Sequence, residues 1–482
     1  MFDLGGPMSH PSFVQRIHPQ TQAAPGRGRW LALLLLCAAQ FMLILDITVI
    51  NIALPQIAGE LGLDSGSASW AITAYVIPFG GLLLFGGRLS DLLGSRRVFL
   101  VGLILFTVSS LLAGFAGSVA ALLLARAGQG IGAALLSPSA LATVTGRFAG
   151  AERHRALAIW GAVGAVGAAA GVLVGGLLTD GPGWRWIFFI NIPVGVVVAI
   201  VLPLVVPAVT VLRSDRRMDL VGAVLVTLGV GSLIYGITSI GDTRQPVGGI
   251  ALIIAAVVLF ALFIVRERKA ADPLLDFEIL ARRPVRAGIV VMLAASALLV
   301  GSFFLLSFIL QNHHGWSPLV SGLAFLPVAL ATLAGAHLSG RLVSHAGGRA
   351  VATSAFVFAA IGTGMAALTV DVVPLLITGV SVAAVGLGSS FVAATTTAMS
   401  QAQPDELGIT SAVINTFHEL GAALGVATLS VVAASSLAAP RTVDGFVAAF
   451  VTAGVAAAAA ALASLLLVPA GKPATDTPRF MH

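Results

Sequence analysis

The sequence predicts an all-α integral membrane protein of 14 transmembrane helices, in two pseudo-symmetric six-helix bundles plus an inserted helix pair. Three observations predict it. First, of 482 residues 58% are hydrophobic and only 10% charged, with a mean hydropathy of +1.02; a soluble chain cannot hide that much apolar surface. Second, the apolar residues fall in runs of about 20, the length that crosses a bilayer as a helix. The short alternating segments of a membrane β-barrel are absent. Third, a glycine–arginine motif occurs twice at a fixed offset, once in each half.

The spans lie near 31–54, 69–87, 97–116, 119–146, 156–179, 187–208, 219–240, 247–265, 287–310, 318–340, 350–370, 373–398, 407–437 and 444–469. Before the first stands a tail, 1–30, rich in Pro, Gln and His, which reads as disordered. The first run is too long for a cleaved signal sequence and reads as a retained span. A second short tail is 470–482. Of the 26 Lys and Arg, 22 fall on one set of ends, among them Arg88, Arg96, Arg97, Arg147, Arg266, Arg282, Arg341 and Arg349. Only Arg185, Arg244 and Arg441 fall in the opposite loops, and Arg126 lies inside span 4. Basic loops stay cytoplasmic, so both termini are expected there, in the cell membrane. The basic pI of about 10.6 is this topology and not a nucleic-acid surface. The single cysteine, Cys37, allows no internal disulfide.

The repeat sets the domains. GGRLSDLLGSRR (86–97) closes span 2 and SGRLVSHAGGR (339–349) closes span 10. Gly87, Arg88, Leu89, Gly94 and Arg96 match Gly340, Arg341, Leu342, Gly347 and Arg349 at an offset of 253, and Asp91 matches Ser344. Residues 31–208 and 287–469 are then the two bundles, and 209–286 an inserted two-helix linker with its loop. Repeated halves of this kind are the layout of transporters, with the substrate site between them near the midplane.

LDITVINIALP in span 1, GRLSDLLGSRR after span 2, RAGQGIGAA (126–134), WRWIFFINIPVG (184–195) and DPLLDFEIL (272–280) together resemble the major facilitator superfamily. Within it they are similar to the fourteen-span drug:proton antiporters. The resemblance covers nearly the whole chain from span 1 onward. It implies two bundles rocking around a central site, a small-molecule substrate, protons as coupling ions, and no cofactor beyond the proton motive force.

Three charged groups sit at membrane depth, where each costs at least a few kcal/mol. Asp46 lies roughly 12 Å from the outer end of span 1, and Arg126 roughly 10 Å from the outer end of span 4. The depths match, so a direct or water-bridged pair is expected. Burial raises a carboxylate's pKa and a nearby cation lowers it, so a movable partner switches its protonation. The resemblance implies proton coupling for both. Glu419, with His418 beside it, stands where that family carries Arg-Gln; it adds a titratable group to the second bundle, or is a protonated acid that only hydrogen-bonds. Ser411, Asn415 and Glu419 share one helix face and, with Gln40 and Asn51, are candidate cavity groups. Asp46 and Asn51 are about 140° apart around span 1, which therefore needs partners on two sides.

Gly161, Gly164, Gly167, Gly171 and Gly175 give span 5 a smooth face for close helix packing. The resemblance is to the antiporter motif, with Val172 in place of its proline. Gly87, Arg88, Asp91, Gly94, Arg96 and Arg97 form a tight turn and topology signal, to which the resemblance adds gating. His313 and His314 lack metal-ligand spacing, and no metal site is expected. A monomeric exporter of amphipathic compounds is the leading reading; a dedicated exporter of one metabolite, siderophore or lipid fits the same residues. An enzyme on lipid-linked substrates would need a catalytic cluster at an interface, and the loops offer only the acids of DPLLDFE.

Overall fold

The structure, a computed structural model, describes residues 26–62, 68–148, 150–207, 219–240, 246–270, 274, 277–401, 406–439 and 442–470. Most of both expected tails and the stretch 208–218 lie outside the described residues, as do the surroundings of Gly161, Gly164 and Ser344. Every described element is helical, as apolar surroundings demand of a backbone that must satisfy its own hydrogen bonds. In order these are α1 (Gly26–Leu61), α2 (Trp70–Leu93), α3 (Ser95–Gly114), α4 (Val119–Arg147), α5 (Gly150–Asp180), α6 (Trp186–Phe189), α7 (Asn191–Val205) and α8 (Leu220–Ile240). Then follow α9 (Pro246–Lys269), α10 (Phe277–Ala281), α11 (Arg283–Phe308), a π-helical turn (Ile309–His313), α12 (Pro318–Leu368), α13 (Val373–Met399), α14 (Leu407–Val432), α15 (Ala434–Ala438) and α16 (Asp444–Leu467).

Thirteen helices among the described residues are long and apolar enough to cross a membrane. The fifth expected span falls in α5, of which Ala170–Asp180 stands as a shorter apolar helix. Span 6 divides into α6 and α7 at Ile190, because Pro193 has no N–H to continue the ladder. The expected loop 266–286 is partly helical, through the end of α9, α10 and the start of α11. Spans 10 and 11 form α12, bent at Gly347.

That bend is the repeat made visible. Gly94, between α2 and α3, has φ 87° and ψ 133°; Gly347, at the matching position, has φ 83° and ψ 157°. Only glycine takes this region without strain.

The packing repeats as well. α1 packs on α5 and α7, α2 and α3 on α4, and α3 on α7; correspondingly α11 packs on α14 and α16, and both arms of α12 meet α13 and α16 between them. α2 packs against α14 and α5 against α12, joining the two sets. α8 touches both α2 and α14, and α9 lies outside α8 with 17% of its apolar window buried. Its exposed Val247, Ile250, Ile254 and Val257 suit a lipid-facing surface.

At the arginine-poor end the two sets are tied by backbone chemistry. Pro55, inside α1, cannot donate to the carbonyl of Asn51. Ser307 of α11 fills the gap, donating to Asn51 O at 2.5 Å. From the π-helical turn, Gln311 donates to Ile52 O at 2.8 Å. Gly176 of α5 meets the backbone of Pro318 and Leu319 at the start of α12, where a Cβ would stand 2.9 Å from Pro318 O.

Candidate functional site

The structure brings Asp46 and Arg126 into direct contact. Arg126 Nη1 donates to Asp46 Oδ2 at 2.5 Å, and each side chain is 1% exposed. Each group has further partners. Gln129 Nε2 and Asn191 Nδ2 both donate to Asp46 Oδ1 at 3.0 Å. Gln129 Nε2 also reaches Ser110 Oγ at 2.8 Å. Arg126 Nε donates to Ala71 O at 3.0 Å, and Nη1 to Gln129 Oε1 at 3.0 Å. Its guanidinium lies over the ring of Tyr75, 4.4 Å from the centroid, with Phe188 at 5.9 Å.

Five elements build this cluster: α1 supplies Asp46, α2 Tyr75 and the Ala71 carbonyl, α3 Ser110, α4 Arg126 and Gln129, and α7 Asn191. The local reasons are plain. Gln129 follows Arg126 by three residues and so shares its face. Asn191 is buried at the first position of α7, where the break at Ile190 sets it. α4 approaches α2 closely because Gly130 lies against the Tyr75 carbonyl. The hydroxyl of Tyr75 itself is buried without a hydrogen-bond partner among the described residues. Gln129, Asn191, Ser110 and Tyr75 were not expected from the sequence. The spacing from Arg126 could have revealed Gln129; the other three are neutral and carry no comparable mark.

Glu419 lies apart from this cluster, on α14 where that helix crosses α2. A Cβ on Gly80 would stand 3.0 Å from Glu419 Cβ. Its side chain is 10% exposed and its carboxyl sits 4.0 Å from His418 Nε2; His418 also stacks edge-on with Phe391 at 5.3 Å. Asn415 is exposed, while Ser411 and Gln40 are half-buried. Asn51 is 3% exposed; its amide donates to Ile47 O at 3.1 Å, and its carbonyl is the one Ser307 occupies. The Asn51 backbone therefore takes part in the α1–α11 contact. Span 1 does meet protein on two sides, through Asp46 on one and Asn51 on the other.

Gly167, Gly171 and Gly175 of α5 face α1. Gly167 lies against Ile44, Gly171 against Thr48 and Gly175 against Val49. A Cβ at Gly171 would overlap the Thr48 hydroxyl, which is held by the carbonyls of Ile44 and Leu45 at 3.0 Å. In the turn after α2, Gly87 has open space and Gly94 carries the positive φ. Arg88 and Asp91 each engage a partner, while Arg96 and Arg97 line a cavity with Arg147. No group of three or more His, Cys, Asp or Glu among the described residues could hold a metal ion.

Comparison with known proteins completes the picture. The chain is 36% identical to the puromycin resistance protein pur8 of Streptomyces alboniger over 457 residues, 89% of this chain and 88% of that one. It is 36% identical to the cephamycin export protein CmcT of Amycolatopsis lactamdurans, over 84% of this chain and 85% of that one. It is 32% identical to the multidrug resistance protein Stp of Mycobacterium tuberculosis, over 83% and 75%. Among solved structures, a peptide transporter in complex with alafosfalin superposes with a TM-score of 0.66 at 17% identity, over 91% of this chain and 94% of that one. A bacterial homolog of the human lysosomal transporter Spinster, inward-facing and occupied, gives 0.64 at 17%, over 92% and 97%. The sequence profile of the Major Facilitator Superfamily matches residues 36–426. A helical membrane chain with an internal repeat, matched by that profile over most of its length, belongs to the Major Facilitator Superfamily of membrane transporters.

Proposed function

We propose that the protein is a proton-coupled antiporter that exports small amphipathic compounds, antibiotics among them, across the cytoplasmic membrane. It works as a monomer by alternating access. In this reading α1–α7 and α11–α16 are two six-helix bundles, α5 supplies the remaining span of fourteen, and α8–α9 are the inserted pair. The arginine-rich end is cytoplasmic, with both termini. The ties from Ser307 and Gln311 to α1 then close the outer side, so this conformation accepts substrate from the cytoplasm.

One observation carries the proton coupling: the Asp46–Arg126 ion pair, withdrawn from water inside one bundle. A buried pair contributes little net stability, so a switchable role accounts better for its presence. Protonation of Asp46 discharges the pair and frees Arg126, giving the bundle two states that differ by one proton. Glu419 in the other bundle is a second proton carrier, with His418 next to it. Each proton entering releases roughly 2.3 kcal/mol per 100 mV, which drives the substrate outward.

A second reading is a dedicated exporter of one antibiotic. It is favoured by the relatives pur8 and CmcT, each named for a single compound, whereas Stp is named for many. Everted, energised vesicles test both. Adding puromycin, a cephamycin or a cationic dye should release protons in the wild type and not in Asp46→Asn. Glu419→Gln should lower the number of protons released per substrate. Equal release in wild type and both variants would remove the proton role from these acids. A response to one compound alone, uncompeted by the rest, would favour the dedicated exporter.

A further inference from the structure

Arg96, Arg97 and Arg147 line one cavity of about 110 Å³ at the arginine-rich end, walled also by Leu93, Gly94 and Val206–Pro207. The volume is several times what one water molecule needs. Arg96 and Arg147 are half-buried and Arg97 is exposed. Among the described residues no carboxylate lines the cavity, and none of the three arginines has an ion-pair partner there. Some other arginines at this end do have a carboxylate: Arg29 pairs with Glu152, Arg266 with Asp219 and Arg282 with Glu406. Three guanidinium groups around one space repel one another unless an anion joins them.

The backbone points the same way. The cavity includes the first turn of α3, whose N-cap, Gly94, offers no side chain to the free amides. Such amides attract an anion, and the 20 residues of α3 add their dipole. Arginine forks match phosphate oxygens in pairs. The rim is apolar on the side facing the bilayer: Leu93 is 50% exposed, and below Val206 run Leu204, 81% exposed, and Ile200, 63% exposed.

We propose that this cavity binds the phosphate of an anionic membrane lipid, with the headgroup between Arg96, Arg97 and Arg147 and the acyl chains along the outer face of α7. Phosphate chemistry is what the arginines recognise, and the exposed leucines on the rim assign its source to the bilayer. The site lies away from the Asp46 cluster and does not depend on what the transporter exports.

The test is native mass spectrometry of the full-length protein in mixed micelles of phosphatidylglycerol or phosphatidylcholine, alongside thermal melting. Phosphatidylglycerol should be retained and should raise the melting temperature, and phosphatidylcholine should do neither. Arg147→Gln should weaken phosphatidylglycerol retention by roughly tenfold, the loss of one charged hydrogen bond, and Arg147→Lys, which keeps the charge but not the fork, should fall between that variant and the wild type. Melting of each variant in phosphatidylcholine reports whether it is folded. Equal retention of the two lipids, or retention unchanged in folded Arg147→Gln, would overturn the proposal. Inorganic phosphate giving the same Arg147-dependent stabilisation as phosphatidylglycerol would overturn the lipid source.

Discussion

Removing one member of the buried pair should cost far more than removing both. Asp46 receives three donors, Arg126 Nη1 at 2.5 Å and Gln129 and Asn191 at 3.0 Å. In Arg126→Met the carboxylate stays buried with two neutral amides and no countercharge, at a cost of about 3–5 kcal/mol. In Asp46→Leu the guanidinium keeps Ala71 O, Gln129 Oε1 and the Tyr75 ring, and the cost is again about 3–5 kcal/mol. The double variant buries two apolar side chains instead, a replacement that is often neutral or stabilising. Its melting point should therefore lie near the wild type and above both singles. Cys37, the one cysteine in the chain, is buried, so a thiol-reactive dye reports unfolding directly. Independent sites would add to within about 0.3–0.5 kcal/mol. A double variant that melts at the sum of the two single shifts would refute the pairing argument. A double variant that is stable yet still releases protons on substrate addition would separate the pair from coupling altogether.

Two further outcomes follow from backbone geometry. Gly94→Ala and Gly347→Ala each place a side chain at φ 87° or φ 83° and should each cost about 1–3 kcal/mol; Gly87→Ala, whose nearest neighbour is Pro138 Cβ at 3.9 Å, should melt like the wild type. Ser307→Ala removes the donor to the carbonyl that Pro55 frees and should weaken the α1–α11 contact by about 1–3 kcal/mol. Spin-label distances between the adjoining ends of α5 and α12 should lengthen in that variant, and an unchanged distance distribution would count against the tie. Pro55→Ala restores a donor within α1 and should make Ser307→Ala milder.

What could be read in advance was what physics penalises. A charge inside an apolar span is costly, so Asp46 and Arg126 stand out, and a rise of about 1.5 Å per residue sets their depths close enough to expect contact. A positive φ favours glycine, so Gly94 and Gly347 stand at matching turns in both halves, whereas Asp91 is matched by Ser344. Neutral amides carry no such penalty. Gln129 and Asn191 lie among apolar neighbours in motifs that were visible, but nothing in their spacing says that both aim at one carboxyl oxygen. The ends of the helices were harder still. Glu60 takes hydrogen bonds from Trp184 and Arg185, residues 124 and 125 positions away, and Arg282 meets Glu406 at the same remove of 124. Such pairs follow only once α1 is known to lie beside α6 and the start of α11 beside α14. The same reasoning bears on the transport cycle. The Asp46–Arg126 cluster lies wholly within one set of helices, so the rocking proposed above would leave its neighbours in place. In the alternating-access cycle proposed above, the Asn51 backbone carbonyl, held by Ser307 of the opposite set, would lose that neighbour as the sets part. On that proposal the environment of the Asn51 backbone carbonyl, unlike that of the Asp46 carboxyl, should change with every turnover.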